Sequence, residues 1–110
     1  MELRQLRYFV AVAESLNFTK AAKQLLIAQP SLSQQISALE SQLGFKLFER
    51  SRQSVELTVA GKSFLTDVRE IIKKLDKSVE HASDISKGIV GHLTIGFLNA
   101  AAKRFLPKVI

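Results

Sequence analysis

Apolar residues return at Leu3, Leu6, Phe9, Val10, Ala13 and Leu16, with Arg4, Arg7 and Glu14 off that stripe. The three-and-four spacing predicts a first helix over residues 2–16 with one buried face. Asn17 and Phe18 interrupt it. Thr19 is then expected to cap a short second helix over residues 20–26, which buries Ala22, Leu25 and Leu26. Ile27, Ala28 and Gln29 read as a tight connection.

Pro30 fits the first turn of a third helix, where its missing N–H costs nothing, and Gly44 fits the position just past the helix end. At about 100° per residue, Leu32, Ile36, Leu39 and Leu43 fall on one side. Gln34, Ala38 and Ser41 point the opposite way, so the outward face is small and polar. Beyond Gly44 the helical period is lost. Residues 45–48 and 55–57 read as two short strands joined by the polar turn 49–54.

Thr58 is expected to cap the next helix, although Gly61 stands where a capping box wants Glu or Gln, which predicts a loose first turn. The helix runs over residues 59–87, with apolar or small side chains at Phe64, Val68, Ile71, Leu75, Val79, Ala82 and Ile85. That stripe repeats every 3.5 residues or so, about the coiled-coil period. A helix of about 40 Å is too long for the preceding residues to cover, so much of the stripe is expected to meet a second chain. The competing account packs the same residues back on the first helix. Gly88 and Gly91 end the helix, residues 92–98 alternate like a strand, and Asn99 opens another helical start over residues 100–110. Two such elements cannot bury their own apolar faces, so this tail is expected to be poorly ordered or covered by a neighbour.

The expected fold class is mainly α: three helices plus a two-stranded wing over residues 1–58, a long dimerisation helix over 59–88, and a fragment of a further domain over 89–110. A helix, a tight turn and a second helix with a polar outer face form a winged helix-turn-helix, whose second helix suits the major groove of B-DNA. Spacing alone leaves a generic helical domain equally open.

Charge permits this reading without settling it. The 110 residues carry a formal charge of +6, but no Lys/Arg block stands out, and residues 1–57 hold seven basic against five acidic side chains. With no cysteine, a disulfide, a thiolate zinc site and a redox thiol are all excluded. No stretch approaches the roughly 20 apolar residues that cross a bilayer, so no membrane role is expected. His81 and His92 lack metal-spaced partners and read as solvated, and no metal site is expected. No nucleophile motif or glycine-rich phosphate loop occurs, so the chain is not read as an enzyme and no cofactor is expected in it.

Particular runs carry a stronger signal: residues 6–14 (LRYFVAVAE), 18–22 (FTKAA) and 29–33 (QPSLS), then Leu39-Glu40, Leu43-Gly44, residues 47–50 (LFER) and 57–61 (LTVAG). Together they resemble the LysR-type transcriptional regulators over residues 1 to about 62. The long helix and residues 91–96 (GHLTIG) also resemble that family's linker helix and the start of its effector-binding domain.

The resemblance implies a cytoplasmic, nucleoid-associated bacterial regulator that binds promoter DNA as a homodimer. It also implies a small-molecule effector, RNA polymerase contact and a tetramer for the full-length protein, of which this chain would be a shortened part. Helices paired about a two-fold axis place two recognition helices in successive grooves, so the expected target is an interrupted inverted repeat.

By the same resemblance the DNA-contacting residues are Gln29, Pro30, Ser31, Ser33 and Gln34 at the leading end of the third helix, Thr19 and Lys20 on the second, and Arg50 and Arg52 on the wing. Gln34 is the chief base reader, because a glutamine can pair bidentately with adenine; an Arg often stands there in the family, so the base read can differ. The arginines are expected on phosphate or in the adjacent minor groove. The bland readings are a solvated helix face for Gln34, a simple cap for Thr19, and an internal pair of Arg50 with Glu49 or a neighbouring acid. Phe64, Val68, Ile71, Leu75, Val79 and Ala82 form the expected dimer seam. Two other functions stay open: a winged-helix module for protein contact, and an RNA-binding module, which the closed A-form major groove disfavours.

Overall fold

The computed structural model describes residues 1–88. In chain order the elements are α1 Leu3–Ser15, α2 Phe18–Leu25, α3 Gln29–Leu43, β1 Phe48–Arg50, β2 Val55–Leu57 and α4 Val59–Ser86. The strand and helix expected over residues 92–110, and the expected disorder there, lie outside the described residues.

The α1 helix opens where the Gln5 side chain accepts the Glu2 N–H at 2.9 Å, and it buries Phe9, Val12 and Ala13. Leu3 and Leu16, expected on the buried stripe, are exposed at its two ends, and Val12 takes the core position instead. A stripe is only as long as the neighbours that cover it. Asn17, and not Thr19, caps α2: its side chain accepts the Lys20 N–H at 2.9 Å, so the helix starts at Phe18.

Leu26, expected in the core, is 90% exposed. The Ile27 N–H reaches the Ala22 carbonyl at 3.0 Å and the Leu26 N–H reaches Lys23 at 3.2 Å, a Schellman ending. That ending reverses the chain at Leu26 in the left-handed region (φ 59°), turning Leu26 outward, while half-buried Ile27 packs on the core. The α3 helix follows expectation, with Pro30 in its first turn, Gly44 at its end (φ 85°), and Leu32, Ile36 and Leu39 fully buried.

The first strand starts at Phe48 and not at residue 45. It pairs antiparallel with β2, Phe48 opposite Leu57 and Arg50 opposite Val55. The Leu47 and Phe48 amides are both taken by the Glu40 carboxylate, so the start of the strand is tied to α3. Ser51 and Ser54 close the turn, N–H to carbonyl, at 2.9 Å.

Thr58 caps α4 as expected: its hydroxyl accepts the Gly61 N–H and donates to the Lys46 carbonyl, both at 2.8 Å. The first turn is not loose. Gly61 is buried, and a Cβ on it would overlap the carbonyl oxygen of Leu47.

A compact unit spans Met1–Ile72, and a second begins at Lys73. Leu65 and Val68 of α4 are buried in the core of that first unit. Three aromatic rings tie α1, α2 and β1 together there: Phe9 meets Phe48 edge-on at 5.6 Å, and Phe18 meets the same ring at 5.9 Å. Each fully buried side chain of this size contributes about 1.5–3 kcal/mol relative to exposure.

Candidate nucleic-acid interface

The buried side of α3 fixes the other side in solvent. With Leu32, Ile36 and Leu39 locked in the core, Gln34, Ala38 and Ser41 are exposed along one outward line. Gln29, Pro30 and Ser31 are exposed at its leading end, where Ala28 holds the N-cap position without a side-chain cap. First-turn amides left uncapped carry the positive end of the helix dipole and are suited to an anion such as phosphate.

Beside this helix the wing is held by Glu40, which is only 5% exposed. One carboxylate oxygen accepts the Leu47 and Phe48 amides at 2.7 and 3.1 Å, and the other lies 3.8 Å from the Arg50 guanidinium and 4.0 Å from Lys46 Nζ. Arg50 also donates to the Ser33 hydroxyl at 2.8 Å and lies over the Phe18 ring, 4.3 Å from its centroid. A buried carboxylate is tolerable only when its charge is compensated, and here two backbone amides bond one oxygen while Arg50 and Lys46 face the other.

Of the residues expected to touch DNA, Gln29, Pro30, Ser31, Gln34, Thr19 and Lys20 are exposed, the last two in the first turn of α2. Arg52 is exposed on the wing turn, and among the described residues no acid lies within ion-pair range of it. Arg50 is different. Its guanidinium is engaged inside the chain with Ser33 and Glu40, the internal pairing that the sequence left open, with Glu40 as the acid and not Glu49. Ser33 is half-buried and is the acceptor in that bond.

The residues expected along the dimer seam divide into two groups. Val68 is fully buried in its own chain, and half-buried Phe64 packs with its ring 5.6 Å from that of Phe9 and edge-on to Phe45 at 6.3 Å, so both pack on the intramolecular core. Ile71, Leu75, Val79 and Ala82 are exposed. The first turns of α4 therefore pack on the core of their own unit. Sequence reasoning missed Glu40 and Asn17. A carboxylate on the apolar side of α3 and an asparagine just ahead of a helical run were the available signals.

The match to known proteins agrees with this geometry. Residues 3–62 match the model of the bacterial regulatory helix-turn-helix protein, lysR family. Over 101 residues the chain is 52% identical to the uncharacterized HTH-type transcriptional regulator YnfL of Escherichia coli, covering 92% of this chain and 34% of that protein. It is 50% identical over 109 residues to the HTH-type transcriptional regulator BudR of Klebsiella aerogenes, covering 99% of this chain and 75% of that one. The chain thus spans about a third of one relative and three-quarters of the other. Among solved structures, the BenM DNA-binding domain crystallised with catB site 1 DNA superposes with a TM-score of 0.78 at 46% identity, over 80% of this chain and 95% of that one. A recognition-type helix, a short wing and the start of a long helix, matched at this identity over nearly the whole described length, place the chain in the lysR family of bacterial helix-turn-helix regulators.

Proposed function

We propose that this chain is the DNA-reading part of a transcription regulator, which binds duplex DNA as a homodimer at an interrupted inverted repeat. The observation that carries the reading is the two-sided character of α3. One side is anchored by fully buried Leu32, Ile36 and Leu39, and the other offers exposed Gln34, Ala38 and Ser41 beside a wing tipped by Arg52. A rigid helix with small polar side chains facing out can enter the major groove without steric conflict, and Gln34 supplies the bidentate pairing that distinguishes adenine. The BenM neighbour, itself solved in complex with DNA, supports a DNA partner.

In this reading Gln29, Pro30, Ser31 and Ser33 line the groove entry, Thr19 and Lys20 meet the sugar-phosphate backbone from α2, and Arg52 clamps the flank. The exposed Ile71, Leu75, Val79 and Ala82 pair two copies. The chain carries no catalytic role. In the full-length protein a small-molecule effector, RNA polymerase contact and a tetramer belong to the same proposal, as does a place in the cytoplasm on the nucleoid.

Fluorescence anisotropy against a labelled inverted-repeat duplex over a salt series tests the reading. Log affinity is expected to fall linearly with log salt, by about 0.9 per phosphate neutralised. Binding indifferent to salt, or no binding to any duplex, overturns it.

A further inference from the structure

The base of the wing is held by buried Phe48 and by the Glu40 bonds to the Leu47 and Phe48 amides, but its outer end has less to hold it. Its ladder is three residue pairs long, and a two-stranded hairpin of that size is marginal in water. Arg50, the last residue of β1, adds anchorage at that outer end: it folds back from the wing to Ser33 and Glu40 on α3 and to Phe18 at the start of α2. Only a planar fork with several donors and a stackable face can make those three contacts together. Glu40, in turn, holds the amides of Leu47 and Phe48, which lead into the same strand. The anchor therefore closes on itself, from α3 through β1 and back to α3.

The bond to Ser33 has a second effect. Its oxygen accepts from Arg50, so the hydroxyl proton remains available to donate elsewhere, and Ser33 directly precedes the exposed Gln34.

We propose that Arg50 is a positioning residue of the DNA interface: it sets the wing against α3 and presents Ser33 as a donor, and it does not itself neutralise a phosphate. This rests on the DNA-binding reading above. It reassigns Arg50 from contact to support and leaves Arg52 as the phosphate-binding arginine of the wing.

The test is the salt slope of binding to a fluorescein-labelled mixed-sequence duplex, measured for the wild-type chain and for R52A, R50Q, R50K and the R50Q/R52A double variant. Removing Arg52 is expected to lower the slope by about 0.9. R50Q and R50K are each expected to lower it by about the same amount, because a misplaced wing loses the Arg52 contact, and the double variant is expected to fall no further. If R50K keeps the wild-type slope, or the double variant loses about twice the single decrement, Arg50 touches phosphate directly and the proposal is overturned.

A measurement on unmodified protein covers variants that do not fold. The guanidinium resonances of Arg50 are expected to stay in place when duplex is added while those of Arg52 move; a shift at Arg50 equal to that at Arg52 overturns the proposal. A wild-type chain that ignores all duplexes overturns the DNA-binding reading and this proposal with it. Binding with additive variants overturns this proposal alone.

Discussion

The carboxylate of Glu40 accepts the backbone N–H of Leu47 at 2.7 Å, and that bond joins the last turns of α3 to the approach of the wing. Because Glu40 also takes the Phe48 amide and faces Arg50, its replacement by Ala orphans two amides and a cation at once. Glu40→Ala is expected to cost about 3 kcal/mol in urea unfolding. Glu40→Gln, which keeps one good acceptor, is expected to cost less. A loss below about 1 kcal/mol for the alanine variant means that water or another group replaces the carboxylate.

Gly61 offers a prediction of opposite sign to helix propensity. In an open helix Gly→Ala gains about 1 kcal/mol, yet here the new methyl would meet the carbonyl of Leu47, a backbone atom that cannot swing aside. Gly61→Ala is expected to destabilise by about 1–3 kcal/mol, as other overpacked sites do. A higher melting temperature for this variant contradicts the close approach.

Leu26 stands at the left-handed position of a Schellman ending, with 90% of its surface in water. Glycine or asparagine suits that backbone better, and little burial is lost. Leu26→Gly is expected to stabilise by about 0.5–1 kcal/mol, a few degrees in melting temperature. An unchanged or lower melting point shows that the exposed leucine packs against something in solution.

Gln34 and Arg52 should separate specificity from affinity. Gln34→Ala is expected to remove about 1–3 kcal/mol of discrimination at one base pair and to leave the salt slope alone. Arg52→Ala is expected to do the reverse, weakening all sequences alike and lowering the slope by about 0.9. Competition binding with single-base operator variants reads both; identical behaviour of the two variants refutes the division.

Along α4, Val68 and Val79 have the same side chain and opposite environments, fully buried in one case and 60% exposed in the other. Val68→Ala is expected to cost about 2 kcal/mol of stability through a core cavity. Val79→Glu is expected to leave the helical circular dichroism intact and shift sedimentation toward the monomer. A Val79→Glu chain that stays dimeric at micromolar concentration removes Val79 from the seam.

Some of this was legible in residue order alone. The period of α1 and α3, Pro30 and Gly44 at the limits of α3, the Thr58 cap and the length of α4 follow from local rules, because a helix chooses its face and its ends within a few residues. The outward line of Gln34, Ala38 and Ser41 was readable for the same reason. Where the reading failed, the deciding contact came from elsewhere in the chain. Leu26 left the core because the chain reversed and Ile27 took the inner position. The residues just ahead of Phe48 left the strand pattern where a carboxylate on α3 took the Leu47 and Phe48 amides.

The sequence by itself determined which residues can face inward, where helices stop, and that α3 carries a polar outer face. Only the tertiary structure decided that Arg50 is bound inside the chain, that Phe64 and Val68 fill their own core, and that Gly61 is there for a neighbouring carbonyl. The reason is that periodicity constrains the side a residue takes on its own element. The partner waiting on that side is set by how distant segments pack, and no local pattern encodes that.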